Sequence, residues 1–235
     1  MKAFQKKLEK NLKDDGASLV GFAYLRDLPA DARRSFPVGI SIAMVLDPEV
    51  ISKITWGPTK EYFQEYSRVN ALLDQLGQYA LDLLNKEGFR GLALQATTEV
   101  FDRETLRTAL PHKTVATKAG LGWIGKNALL ITETFGSALR LTSVLTDAAF
   151  ETARPVTASR CEQCFTCVDS CPGRAPSGEI WAAGKDRDSF FKAHACCNMA
   201  TELSSKAGIT ATICGICIPV CPWTRAYLNR KGYTV

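Results

Sequence analysis

No cysteine occurs before Cys161, although the chain carries nine. Histidine is almost missing too, with only His112 and His194 in 235 residues. No run of about 18 apolar residues appears, so no membrane-spanning helix is expected. The start, MKAFQKKLEKNLKDDG, is polar and basic, with no apolar stretch behind it, and does not read as a secretory signal. A cytoplasmic protein is therefore expected, and cytosolic thiols stay reduced. That excludes a disulfide framework as the first explanation of the cysteines and points to metal or redox chemistry. The formal net charge is +5. If eight cysteines are thiolates on two 2+ iron–sulfur cores, the balance drops to roughly +1, so the basic composition is no signal for nucleic acid.

What is present is concentrated in the last third. CEQCFTCVDSCP places Cys161, Cys164, Cys167 and Cys171 in eleven residues, followed by Pro172. CGICIPVCP repeats the ending with Cys214, Cys217, Cys221 and Pro222. In the spacing C-x2-C-x2-C-x3-C-P, three thiolates hold one 4Fe–4S cluster and the fourth reaches the neighbouring one. Cys161, Cys164, Cys167 and Cys221 are thus expected to bind the first cluster. Cys171, Cys214 and Cys217, with Cys196 or Cys197 from HACCN, are expected to bind the second. Structural zinc also uses paired C-x-x-C segments. It does not call for four cysteines in so short a loop together with a second C-P ending.

Ahead of the cysteines the pattern is mixed. Phe4, Leu8 and Leu12 at four-residue spacing predict a short helix that Gly16 stops. Strands are predicted over Ser18–Leu25, Val38–Leu46 and Gly91–Val100. A long amphipathic helix is predicted over Thr59–Asn85 and a shorter one over His112–Ala119. ALLIT (Ala128–Thr132) and LRLTSVLTD (Leu139–Asp147) flank ETFGSA and predict a β-hairpin. The expected class is α+β, with a body over 1–155 and a cysteine domain over 156–235.

One further segment invites a ligand. AGLGWIGKN, Ala119 to Asn127, fits G-x-G-x-x-G and nearly fits a P-loop, but it follows a helix and precedes a strand, the reverse of both contexts. Glycines permit close backbone approach, tryptophan can stack, and lysine and asparagine can bind polar groups. Gly120, Gly122, Trp123, Gly125, Lys126 and Asn127 are the candidate cofactor residues; a plain tight turn is the alternative.

AGLGWIGKNALLIT, then GS, LTSVLTD and the eight-cysteine tail, resembles the epoxyqueuosine reductases and the related reductive dehalogenases. GASLVGFAYLRDLP also looks like the N-terminal strand of that family. The resemblance implies a nitroreductase-like α/β body holding a corrinoid (cobalamin), then a bacterial ferredoxin-like domain with two 4Fe–4S clusters. It implies that the glycine loop lies against the corrinoid, that electrons arrive from a ferredoxin or flavodoxin, and that the substrate is a small molecule or a modified nucleoside. The placement of a cysteine ahead of ATELS in such proteins favours Cys196 as the eighth ligand. Two features depart from the family. The Asp followed by a small residue, Ala and Pro that precedes the glycine loop is missing; its place falls near Leu106. Helical repeats suited to tRNA are missing as well, so tRNA is a doubtful partner. His112 is the candidate proton donor in place of the missing Asp, with Asp102 and Glu104 behind it. The alternatives are an electron carrier that binds no corrinoid, and a tRNA-modifying reductase working with a separate tRNA-binding subunit.

Overall fold

The computed structural model describes residues 1–97 and 102–234. The chain divides into two units, neither continuous in sequence. Unit 1 comprises Met1–Met44, Val69–Leu121 and Arg140–Val156. Unit 2 comprises Val45–Arg68, Gly122–Leu139 and Thr157–Val235. The expected division at 155/156 lies one residue from the break at Val156/Thr157. Unit 2, however, also takes two segments from the expected body, for reasons its hydrogen bonds make plain below.

Unit 1 is built on a sheet in the order β1 (Leu19–Tyr24), β2 (Val38–Val45), β6 (Leu139–Thr146) and β3 (Gly91–Leu94). β1 and β2 pair antiparallel with Phe22 opposite Ile40, and β3 pairs antiparallel with β6, Leu92 opposite Leu145. β2 is buried at seven of its eight positions, as a strand covered on both faces must be. Helix α1 (Lys2–Asp14) buries Leu8 and Leu12, four residues apart, and packs on β1. Phe4, Phe22, Phe89 and Phe150 continue this contact, with Phe22 and Phe150 edge to face at 4.9 Å. Helix α4 (His112–Lys118) lies on β1 where Gly21 leaves room: a Cβ there would come within 2.9 Å of the Ala119 carbonyl oxygen. Val115 and Ala119 join Ala23, Leu25, Leu110 and Leu145 in this core.

The long helix α3 (Lys60–Lys86) has residues in both units. The part of the predicted Gly91–Val100 strand that lies beyond Thr97 falls outside the described residues.

Unit 2 holds α2 (Pro48–Ser52), the small strands β4 (Trp123–Ile124) and β5 (Leu130–Ile131), and helices α5 (Thr166–Asp169), α6 (Ala193–Lys206) and α7 (Pro222–Arg230). Asp47 caps α2 by accepting the amides of Glu49 and Val50, with Pro48 in the first turn. Here the sequence expectation needs correcting. The strand at Leu130–Ile131 does not pair with β6 across ETFGSA; it pairs backward with β4, Trp123 opposite Ile131. The turn at Lys126–Asn127, where Ala128 N–H donates to Gly125 O at 2.9 Å and Ala128 lies in the left-handed region (φ 58°), closes that hairpin. No helix among the described residues is long and apolar enough to cross a membrane.

Candidate metal centre

The first cysteine run folds as a turn followed by the single-turn helix α5. Cys164 N–H donates to Cys161 O at 2.9 Å, with Glu162 at positive φ between them. Cys171 Sγ accepts the Ala175 amide at 3.4 Å. In the second run, Cys221 caps α7 and Pro222 occupies its first turn, where a missing N–H costs nothing. The sequence therefore delivers the Cys221 thiol to a helix N-terminus.

Cys161, Cys164, Cys167 and Cys221 wall one cavity of about 270 Å³, together with Asn127, Ile131, Arg160 and Trp223. Burial pushes the Cys167 thiol up to about 12, and its charged neighbours Cys161, Cys221 and Cys164 add to the shift. Burial also raises Cys221, against the backbone amides of Thr224 and Trp223 that favour its thiolate, with Cys161 and Cys164 raising it further. The second set forms likewise. Cys217 is raised well above the ordinary thiol range by burial, then by Cys196, Cys214, Cys167 and Cys171. Cys214 is raised by burial and by Cys171. The charge of Cys196 acts on Cys217.

Thiols crowded in this way stay protonated unless a metal supplies compensating charge. Four thiols around a cavity, three from one loop and one from a distant run, are a donor set that fits a 4Fe–4S cluster.

The glycine loop lies within unit 2 from Gly122 onward, and its side chains turn inward. Trp123 and Lys126 are each 1% exposed and Asn127 3%. Lys126 Nζ donates to the carbonyl oxygens of Glu162 and Cys164, each at 3.0 Å, and sits 3.8 Å from the centre of the Phe165 ring. Asn127 Nδ2 donates to Cys217 O at 3.3 Å. Adjacent residues of one loop thus hold the backbones of both cysteine runs. Trp123 meets Trp223 edge to face at 5.0 Å, with the Arg160 guanidinium 5.2 Å from its ring. The glycines serve the hairpin: a Cβ on Gly122 would lie 2.1 Å from Ile131 O, and one on Gly125 would lie 2.4 Å from Ile131 Cδ1. Gly120, in unit 1, is exposed, with φ 72°.

His112 begins α4 in unit 1. The Gln95 carbonyl, 2.9 Å from Nε2, can only accept, so Nε2 carries the proton and Nδ1 takes the hydroxyl proton of Ser143 at 3.0 Å. Burial lowers its pKa against the opposing pull of the Gln95 bond, which keeps the ring neutral. Both ring nitrogens are engaged by the fold. Asp102 is an exposed turn residue accepting the amides of Glu104 and Thr105, which lower its pKa and keep it ionised. Leu106, at the place of the family's Asp, takes a left-handed backbone (φ 52°).

Several residues of the site carried no signal that the sequence reading used. Arg160 and Trp223 adjoin cysteines of the two runs and wall the cavity. Phe165 receives the Lys126 ammonium. Gly136 passes so close to α7 that a Cβ would lie 2.3 Å from Thr224 N, and Ser137 N–H donates to Thr224 Oγ1 at 3.0 Å. Adjacency to the cysteines was the signal available for the first three.

Comparison with known proteins bears on the fold first. The chain shares the fold of epoxyqueuosine reductase and reductive dehalogenase structures. An epoxyqueuosine reductase solved with an epoxyqueuosine-modified tRNA-Tyr stem loop superposes with a TM-score of 0.62 at 19% identity, over 99% of this chain and 67% of that one. A reductive dehalogenase whose structure suggested a mechanism for B12-dependent dehalogenation superposes with a TM-score of 0.66 at 17% identity, over 89% of this chain and 30% of that one. In sequence, the chain is similar to epoxyqueuosine reductases: that of Cellulophaga algicola is 34% identical over 113 residues, 48% of this chain and 37% of the relative. The alignment thus spans little more than a third of that relative's length. No family model matches the chain.

Proposed function

We propose that the chain is an iron–sulfur oxidoreductase of the epoxyqueuosine reductase type, with two 4Fe–4S clusters in a ferredoxin-like arrangement beside a nitroreductase-like body. The observation that carries this reading is the cavity walled by Cys161, Cys164, Cys167 and Cys221, which joins the two runs in the crossed manner expected of paired clusters. Cys171, Cys196, Cys214 and Cys217 would hold the second cluster. Bound there, each cluster supplies one-electron transfer. The chain's own residues do the rest: Lys126 and Asn127 fasten the two runs to one hairpin, and Cys221 and Pro222 start the helix that presents the crossing ligand. We keep the expected cytoplasmic setting and the expected donor, a ferredoxin or flavodoxin.

A corrinoid as the destination of the electrons rests on likeness to the family and to the B12-dependent neighbour. The side chains of Trp123, Lys126 and Asn127 are buried, and Lys126 and Asn127 bond the cysteine loops. No step is routed through the corrinoid, and none through a proton on His112, which would have to break its bond to Gln95. The expectation that tRNA is a doubtful partner meets a finding against it, because a structural neighbour holds an epoxyqueuosine-modified tRNA stem loop. A modified nucleoside in tRNA is accordingly the substrate to test first, with and without a second tRNA-binding protein.

Anaerobically purified protein should contain about eight iron and eight acid-labile sulfide per chain; zinc instead of iron would overturn the reading. Cobalamin added to that protein should bind in about a one-to-one ratio by its absorbance change if a corrinoid is the acceptor. Intact clusters with no cobalamin bound would leave an electron carrier. Turnover of epoxyqueuosine-modified tRNA by the chain alone would dispense with a partner subunit.

A further inference from the structure

Among the described residues, Lys126 is a buried cation whose ammonium has no carboxylate partner. Its side chain is 1% exposed. Its ammonium is satisfied by two carbonyl oxygens and an aromatic face, and among the described residues no carboxylate pairs with it. Burying a charge costs several kcal/mol unless an opposite charge compensates. Carbonyl dipoles and a ring quadrupole offset part of that cost. The groups able to supply full negative charge nearby are the cysteines of the loop whose carbonyls Lys126 grips. The grip itself is closely built. Gly178 lies beneath Phe165, where a Cβ would come within 2.8 Å of the ring, and Gly125 and Ala128 close the turn that carries Lys126.

We propose that Lys126 sets the reduction potential of the cluster held by Cys161, Cys164, Cys167 and Cys221, by holding a fixed positive charge against it. The inference rests on the cluster reading above. Four thiolates on a 2+ core carry a net charge of about −2, and one electron makes it about −3. That electron comes from a low-potential one-electron carrier, which is oxidised as the cluster is reduced; no bond forms or breaks. A neighbouring cation stabilises the more negative state more strongly, so Lys126 makes this cluster easier to reduce. Lys126 bonds carbonyls of the first run, whereas Asn127, a neutral amide, bonds Cys217 of the second, so the Lys126 charge acts more strongly on the first cluster than on the second.

The test is a redox titration of the purified holoprotein, followed by the electron spin resonance signals of the reduced clusters. Lys126→Gln keeps hydrogen-bond donors and removes the charge. At a fixed potential, the ratio of reduced to oxidised first cluster should fall about tenfold, equivalent to about 59 mV for one electron, and the second cluster should shift less. An unchanged ratio with about eight iron retained would overturn the proposal. If Lys126→Gln loses the first cluster, Lys126→Arg decides. Retention of the cluster at the wild-type ratio supports the role of charge; loss of the cluster, or a shifted ratio, assigns Lys126 to shape alone and overturns it. Failure of the underlying reading would look different, as wild-type protein with no 4Fe–4S signal at all.

Discussion

Lys126 Nζ donates a 3.0 Å hydrogen bond to the carbonyl oxygen of Cys164, 38 residues further along the chain. The next residue, Asn127, reaches the carbonyl of Cys217, 90 residues away. A loop of glycines, lysine and asparagine, whose composition suggests a ligand cradle, is therefore the fastening that brings two cysteine runs together. This also explains why unit 2 takes in Gly122–Leu139. Those residues have their polar partners among the cysteine loops and α7.

The crossing of ligands between runs is open to direct test. Cys221→Ser should damage the cluster formed mainly by the first run, and Cys171→Ser the cluster formed mainly by the second. Each variant should retain about four of eight iron, and each should lose a different component of the electron spin resonance spectrum. Damage confined to the cluster of the mutated run would reject the crossing.

Cys196 and Cys197 are neighbours on α6 and point in different directions. Cys196 is the one whose charge acts on Cys217. Cys196→Ser should alter the second cluster's spectrum and lower iron content, whereas Cys197→Ser should leave both as they are.

Gly122 faces the backbone of Ile131, which cannot give way as a side chain tip can. Gly122→Ala places a Cβ 2.1 Å from Ile131 O, and should cost about 2 kcal/mol or more in denaturant unfolding. Iron content should fall with it, because the displaced hairpin carries Lys126 and Asn127. Gly57→Ala is the control. Its Cβ would meet Leu203 at 3.7 Å, an ordinary contact, and stability should stay within about 0.5 kcal/mol.

His112 should make the fold acid-sensitive. Burial holds its pKa below the ordinary value, so the unfolded chain binds a proton that the folded chain resists. Its contribution to stability is complete above about pH 6.5 and is lost as pH falls through the folded pKa. Between about pH 7 and pH 5, wild type should lose stability relative to His112→Gln in paired thermal melts. Parallel curves for the two proteins would show that the histidine titrates as freely when folded as when unfolded.

Much of the architecture was legible in the chain because its causes are local. Leu8 and Leu12 at one helical repeat placed α1. The Tyr62 to Leu83 periodicity placed α3 to within a residue at each end. The hairpin was misread because ALLIT is equally apolar toward either neighbour. The choice between them fell to Gly122, whose missing side chain lets Ile131 O come close.

By itself the sequence determined that the cysteines lie in two short runs with a C-P ending each, a spacing in which three thiols of the first run can share one cofactor and the fourth points elsewhere. The tertiary structure alone decided which backbone groups Lys126 and Asn127 of the glycine loop bond. Lysine and asparagine after G-x4-G have the same local signature whether they bind a ligand or a carbonyl of the chain. The difference lies in contacts made 36 to 90 residues away, which no local pattern encodes. The same holds for His112, whose proton is committed to a carbonyl brought beside it by the sheet.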